Sequence, residues 1–377
     1  MKKGWQTKTL GELCSFENGD RGENYPSKSV QTTSGVPFIN AGHLSESGID
    51  FSDMNYIPRE RFELLGNGKI RKDDILFCLR GSLGKFASVG DLSEGAIASS
   101  LVIIRPSDAI LNEFVLAYLQ SDLCAEMIQE FRNGAAQPNL AAASLKKFSI
   151  PVPPLAEQQR IVGLLDEAFD GLATAKANAE KNIQNARALF ESHLQSVFTQ
   201  RGPGWVEKPF EDCIEHVKYT AKIQRKEFLE EGEFPIVSQE AEFTNGYWDN
   251  AADVFKVTSP VVIFGDHTQV LKYIDFDFVL GADGVKLLPP KPFLNPKFFF
   301  YALRSAPLKS LGYARHYRLL KELQIGYPDT NAQVAIAKKL DALEAETQRL
   351  TRLYERKHAA LEALKKSLLH QAFTGAL

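Results

Sequence analysis

The sequence predicts a mixed α/β protein. Two α/β modules stand in tandem, each followed by one long helix, and the helices pair as an antiparallel coiled coil with pseudo-two-fold symmetry. Three observations lead there. The second half of the chain repeats the first. Each half ends in a proline-free, amphipathic stretch of 44 residues. Each half begins with short apolar runs punctuated by glycine-rich turns. The expected boundaries are 1–153 and 201–328 for the modules, and 154–200 and 329–377 for the helical segments.

The repeat is clearest where the modules end. Pro153-Pro154-Leu155-Ala156-Glu157-Gln158-Gln159-Arg160-Ile161 aligns with Pro328-Asp329-Thr330-Asn331-Ala332-Gln333-Val334-Ala335-Ile336 at an offset of 175, which holds without a gap to Phe198-Thr199 and Phe373-Thr374. Upstream the offset drifts. It is 200 between Gly4-Trp5 and Gly204-Trp205, and 198 between Pro37-Phe38-Ile39 and Pro235-Ile236-Val237. It falls to about 186 between Asp74-Ile75-Leu76-Phe77 and Pro260-Val261-Val262-Ile263, and to about 183 between Leu111-Asn112-Glu113-Phe114 and Leu294-Asn295-Pro296-Lys297-Phe298. Helices of fixed length read as a ruler. Modules that vary by insertion and deletion read as the parts that recognise something.

Within the helices, Ile161, Leu165, Ala168, Leu172, Ala175 and Ala179 fall in steps of 4, 3, 4, 3, 4, as do Ile336, Leu340, Leu343, Thr347, Leu350 and Tyr354. That is the spacing of a coiled-coil seam. Thr330 or Asn331 is the expected cap of the second helix, and Pro153-Pro154 precede the first. At 1.5 Å per residue each helix is about 66 Å long. Extensive polar faces (Lys176, Glu180, Gln184, Arg187; Arg349, Arg352, Arg356) argue against burial in one bundle. In the modules, strands are expected over 36–40, 74–79 and 96–104, and over 234–238, 261–264 and 285–288. An amphipathic helix follows in each, over 112–129 and 296–311, the second capped by Asn295 with Pro296 in its first turn.

Composition narrows the function. The chain carries a net charge of −3, and residues 1–150 and 201–330 each hold 16 basic against 18 acidic side chains. No strongly basic domain announces a polyanion partner. The four cysteines contain no CxxC pair and the seven histidines no HExxH pattern, so no metal site or disulfide framework is expected. No apolar run is long enough for a membrane span, and no apolar stretch follows Lys2-Lys3, so neither a membrane partner nor a signal peptide is expected. Unpaired cysteines fit a reducing cytoplasm.

Tandem modules that each open near Gly-Trp and end in a proline-rich strand before a long helix resemble the specificity subunit of a type I restriction-modification system. The resemblance covers the whole chain. Its most specific piece is IPVPPLAEQQRIV at 150–162; the second copy, IGYPDTNAQVAIA at 325–337, keeps a Pro, the Gln and the Ile but loses the Pro-Pro and the Glu. The Asp-Ile-Leu-Phe strand at 74–77 and the glycine/glutamine loop at 133–140 also fit, whereas the second half carries Tyr313-Ala314-Arg315-His316-Tyr317-Arg318 in place of that loop. The resemblance implies that each module is a target recognition domain reading one half of a bipartite site in double-stranded DNA. It implies a non-catalytic chain that binds no cofactor of its own. It further implies two methyltransferase subunits using S-adenosylmethionine and, in the full complex, two restriction subunits driven by ATP and Mg. A two-module scaffold without DNA, or an enzyme with an unrecognised site, are the alternatives.

Candidate DNA-contacting residues are those combining phosphate donors with base-edge readers in loops at matched places. In the first module these are Asn40 and His43; Arg80, Ser82 and Lys85; and Gln137 and Asn139. In the second they are Ser238 and Gln239; His267, Thr268 and Gln269; and Arg315, His316 and Arg318. Arginine takes guanine bidentately, glutamine takes adenine, and serine, threonine and lysine hold phosphate. The competing reading of each loop is a solvated turn. Two catalytic look-alikes are set aside. Asn295-Pro296-Lys297-Phe298 resembles an amino-methyltransferase motif, but its first-half counterpart, Leu111-Asn112-Glu113-Phe114, lacks it. Asp329 with Glu355 imitates a nuclease spacing, but Glu355 lies deep in a helix.

Overall fold

The computed structural model describes residues 2–134, 138–312 and 314–377. The chain forms two compact units, one of Met1–Asn178 with Lys357–Leu377 and one of Ala179–Arg356, so each unit takes part of both long helices.

In the first unit, Gln6–Thr9 pairs antiparallel with Ser149–Val152 and ties the start of the module to its end. Between them lies an antiparallel sheet in the order Cys14–Asn18, Leu101–Pro106, Ile75–Cys78, Phe86–Ser88. A second sheet centres on Val36–Ile39, antiparallel to Asn55–Ile57 and parallel to Ala96–Ile97. The strand expected over 96–104 is therefore two strands in different sheets. Ala98 N donates to Ile39 O at 2.8 Å and Leu101 N to Ala98 O at 2.9 Å, so the chain turns at Ser99-Ser100. Both parts are buried, and the two serines between the apolar runs mark the place where the chain changes sheets. The helix expected over 112–129 is also two, Asn112–Gln120 and Asp122–Phe131. Ser121 has extended backbone (ψ 156°), and its hydroxyl accepts from Cys124 N, capping the second. The core packs Phe114, Tyr118 and Phe148 against Ile161 and Leu165 of one long helix and Leu369 and Phe373 of the other. Lys176 pairs with Glu362 at 2.6 Å, and Arg160 donates to Leu377 O, so within this unit the two helices run antiparallel.

The second unit repeats the plan. Val206–Pro209 pairs with Gln324–Tyr327. Leu271–Ile274, Val261–Gly265 and Val285–Leu288 form the antiparallel sheet. Phe234–Val237 lies parallel to Phe278–Gly281, as Val36–Ile39 does to Ala96–Ile97. The module helix is Pro296–Ser305, shorter than the expected 296–311, because Pro307 drives Ala306 out of helical backbone (ψ 131°). Asn295 caps it as expected, accepting from Lys297 N at 3.1 Å and Phe298 N at 3.0 Å. Phe298 and Tyr301 pack on Phe190, Leu194 and Phe198 of the first long helix and on Ala337 and Leu340 of the second.

The long helices are Leu155–Thr199 and Thr330–Thr374, 45 residues each. Thr330 and Asn331 lie inside the second helix, so neither caps it; the Asp329 carboxylate does, accepting from Ala332 N at 3.0 Å. Of the seam positions, Ile161, Leu165, Ala179, Leu340 and Thr347 are buried, and Ala168, Leu172, Ala175, Ile336, Leu343, Leu350 and Tyr354 are half-buried. The repeated glutamine does something periodicity does not show. Gln158 is fully buried: its Oε1 accepts Leu111 N at 2.9 Å, and its Nε2 donates to Pro153 O at 2.9 Å and Ala109 O at 3.4 Å. Gln333 does the same for Asn295 N at 2.7 Å, Pro328 O at 2.9 Å and Phe293 O at 3.0 Å. Each bolts the start of a long helix to the loop leading into the module helix.

Candidate nucleic-acid interface

In the first module the three candidate loops meet. Lys85, following the turn after Ile75–Cys78, donates from Nζ to Ala41 O at 3.0 Å, binding that turn to the loop after Val36–Ile39. Arg80 forms a backbone bridge with Asn139, and Asn133 and Asn139 exchange N–H to O bonds at 2.8 and 2.9 Å. The exposed guanidiniums of Arg80 and Arg21 both donate to Ser99 O at 3.2 Å, which places two cations at one point. Beside them is a concave surface of about 380 Å³ lined by Ser82, Leu83, Lys85, Ile128, Gln129, Arg132 and Pro138, with no acidic side chain among these. Ser82 and Lys85 are exposed there, and Asn139 is half-buried. Gln137 lies outside the described residues. Asn40 is half-buried and its side chain accepts from Gly42 N at 2.7 Å.

His43 is a correction. It is 6% exposed; its Nδ1 accepts Asn40 N at 3.1 Å and its Nε2 meets Asp53 O at 3.2 Å, so it holds the loop and has no face for DNA. Gln129 and Arg132 line the same concave surface and are not among the candidates named from the sequence. They sit at and just beyond the end of a helix whose break at Ser121 the sequence pattern did not show.

The second module's loops converge too. Gln239 Oε1 accepts His267 N at 3.1 Å, and Gln239 O accepts the Thr268 hydroxyl. His267 Nδ1 meets Ala314 O at 3.2 Å, and Gln269 Nε2 donates to Lys309 O at 3.4 Å. Gln269 has φ +60°, backbone strain of the kind that collects at functional sites. Thr268, Arg315 and Arg318 are exposed; Gln239, His267 and Gln269 are half-buried. Two glycines make room for the assembly. A Cβ on Gly284, at φ +78°, would lie 2.3 Å from Gln239 Oε1, and one on Gly265 would lie 2.2 Å from Thr268 Oγ1.

Ser238 and His316 are corrections of the same kind as His43. Ser238 is 3% exposed and its Oγ accepts Glu240 N at 3.2 Å. His316 is 1% exposed, with Nε2 accepting Leu311 N and Nδ1 donating to Asp266 O, each at 3.0 Å. The buried Asp266 carboxylate accepts Tyr317 N at 2.7 Å, so the chain is pinned on both sides of His316; Arg315 is in the loop before it, but Arg318, expected in that loop, lies in the short helix Tyr317–Lys321.

The remaining chemistry-bearing residues are structural. The four thiols are buried; burial pushes Cys213 up to about 11 and Cys14 and Cys124 up to about 12, where thiolate nucleophiles do not form at neutral pH. Asn295 and Asp329, the two catalytic look-alikes, are helix caps. Among the described residues no His/Cys/Asp/Glu cluster could hold a metal ion, and no helix is long and apolar enough to cross a membrane.

Comparison with known proteins places this geometry. The family described as type I restriction modification DNA specificity domain matches residues 2–184 and 203–358, one copy per half. The EcoKI specificity subunit of Escherichia coli strain K12 is 27% identical across 48% of this chain, an alignment spanning only 45% of that subunit. A putative MjaX specificity subunit of Methanocaldococcus jannaschii is 22% identical, covering 98% of this chain and 93% of its own length. Two solved structures share the fold at 19% identity. One, from work on complex assembly and conformational transition of the type I R-M system, has a TM-score of 0.83 and covers 100% of this chain and 99% of its own. The other, the HsdS subunit from Thermoanaerobacter tengcongensis, has a TM-score of 0.62 and covers 100% and 98%. With both halves matched across nearly their whole length, the chain belongs to the type I restriction-modification DNA specificity family.

Proposed function

We propose that this chain reads a bipartite sequence in double-stranded DNA, one half-site per module with an unread spacer set by the long helices, and directs methyltransferase and restriction subunits to it. The observation that carries the reading is the convergence, in each module, of three loops from matched places in the repeat, with different exposed side chains: Arg80, Ser82, Lys85 and Arg132 in one, Thr268, Arg315 and Arg318 in the other. Different side chains on one scaffold are what two unlike half-sites require. The chain is non-catalytic. S-adenosylmethionine, ATP and Mg belong to two methyltransferase and two restriction subunits, and the complex works in the cytoplasm. Linking two weak readers raises affinity through effective concentration, which lets near-neutral modules bind specifically.

The test is to express the chain with its methyltransferase partner and sequence the methylated bases of the host. One bipartite motif is expected; methylation without sequence preference sinks the reading. Arg132→Glu should weaken binding of the reconstituted complex to its site about fivefold, and make the dependence of log K on log salt shallower by about 0.9. Arg132 is exposed, so the melting temperature should not move. An unchanged salt slope would place Arg132 away from phosphate.

A further inference from the structure

Lys272 is the buried lysine among the described residues, at 4% exposure. It sits on Leu271–Ile274, beside the strand Val261–Gly265 that leads into the His267–Gln269 turn. Its ammonium leaves the sheet and enters the loop over 238–245, donating to Glu242 O and, at 3.4 Å each, to Phe243 O and Asn245 Oδ1. Asn245 closes the neck of the same loop: its Oδ1 accepts Ser238 N at 2.8 Å, its Nδ2 donates to Glu242 O at 3.3 Å, and its backbone N donates to Ile236 O at 2.9 Å. The ammonium thus fills a ring of neutral oxygens, as a bound cation would. Gln239 stands on this loop and is bonded to His267 and Thr268 on the next one. The first module makes a matching tie. Lys85, just before the corresponding strand Phe86–Ser88, donates to Ala41 O in the corresponding loop.

We propose that Lys272 is the positioning residue for the second half-site: it fixes the loop over 238–245 and, through Gln239, sets where Thr268 and its neighbours meet the bases. The inference rests on the DNA-reading function proposed above. A buried ammonium with no ion-paired carboxylate is costly, and an apolar side chain would fill a sheet position better. Its presence there, bonded to three oxygens of the loop, points to a role in shaping that loop. Burial pushes Lys272 down to about 8, against an upward pull from Glu242 and Glu240, the latter paired with Arg225 at 2.7 Å. The sign of the linkage follows. The unfolded chain keeps this proton to about pH 10.5, so between pH 8 and that value folding gains stability as pH rises. Over the same interval the folded ammonium loses the charge that holds the loop. Stability and half-site discrimination move in opposite directions.

The experiment uses the complex reconstituted with its methyltransferase, and DNA libraries randomised at one half-site at a time. Lys272→Met should keep discrimination at the first half-site and lose it at least tenfold at the second, with a melting temperature equal to or above wild type. Wild type should show the same selective relaxation between pH 7 and pH 9, and K272M no further change; the ratio between the two half-sites cancels any pH dependence of methyl transfer. Unchanged discrimination in K272M, or equal loss at both half-sites, overturns the proposal. If K272M fails to fold, a flat wild-type pH profile overturns it equally. A wild-type complex with no bipartite preference overturns the recognition reading itself, and this inference with it.

Discussion

Replacing Gln333 by leucine should lower the stability of the second unit by about 3 kcal/mol or more. The side chain is 1% exposed and makes three hydrogen bonds to backbone: Asn295 N, Pro328 O and Phe293 O. Leucine fills similar space but satisfies none of them, and each orphaned buried group costs roughly 1–3 kcal/mol, offset in part by apolar burial. For a domain with roughly 5–15 kcal/mol in hand, that is a large fraction. Gln158→Leu should do the same to the first unit, stranding Leu111 N, Pro153 O and Ala109 O. Gln159→Leu, one residue on and exposed, is the control and should change stability by less than about 0.5 kcal/mol. Urea denaturation of the full chain reads all three. Equal midpoints for Gln158→Leu and Gln159→Leu would remove the bolt from the argument.

That glutamine also marks the limit of sequence reading. Its recurrence at an offset of 175 was visible, but its burial was not, because a polar residue in an amphipathic helix reads as solvent-facing. Two of the three partners of Gln158 lie 47 and 49 residues away, and only tertiary structure brings them near. The helices themselves were legible, 44 residues expected and 45 found in each, since 3.5-residue spacing is a local signal. The strand over 96–104 was not, because two serines do not by themselves end a strand, and only the pairing shows that the apolar runs on either side belong to different sheets.

The candidate loops were chosen from their place in the repeat, and three of the residues picked in them face inward. His43, Ser238 and His316 looked like readers because they are polar and sit in loops; all three are buried and hold those loops in shape. Lys272 drew no reading at all, since no strand was expected over 271–274. In Leu271-Lys272-Tyr273-Ile274 nothing local tells that a loop folds back over the lysine.

Arg105→Leu should destabilise the first unit by about 3–5 kcal/mol and leave the second untouched. Arg105 lies on the central strand of the antiparallel sheet and reaches both ways. It meets the Asp74 carboxylate through Nε and Nη2 at 2.7 Å each, and Glu17 through Nη1 at 3.2 Å. Asp74 is 1% exposed and, apart from Arg105, accepts only Arg71 N at 2.7 Å; Glu17 in turn accepts Gly68 N at 2.7 Å. Removing the guanidinium strands a carboxylate that water does not reach. The second module shows where the cost lies. Matched hydrogen bonds (Cys78 N to Lys85 O, Gly265 N to Val270 O) and matched pairings (Cys14 with Pro106, Ile214 with Pro290) put Val261 and Pro289 at the positions of Asp74 and Arg105, so the same sheet forms with neither charge. The fold does not need the pair, but it cannot carry half of it. Asp74→Asn combined with Arg105→Leu should therefore recover part of the loss, leaving a double variant more stable than Arg105→Leu alone. Denaturation of the three variants measures this directly. A double variant no better than the single would mean that the pair's own attraction, and not the stranded charge, sets the cost.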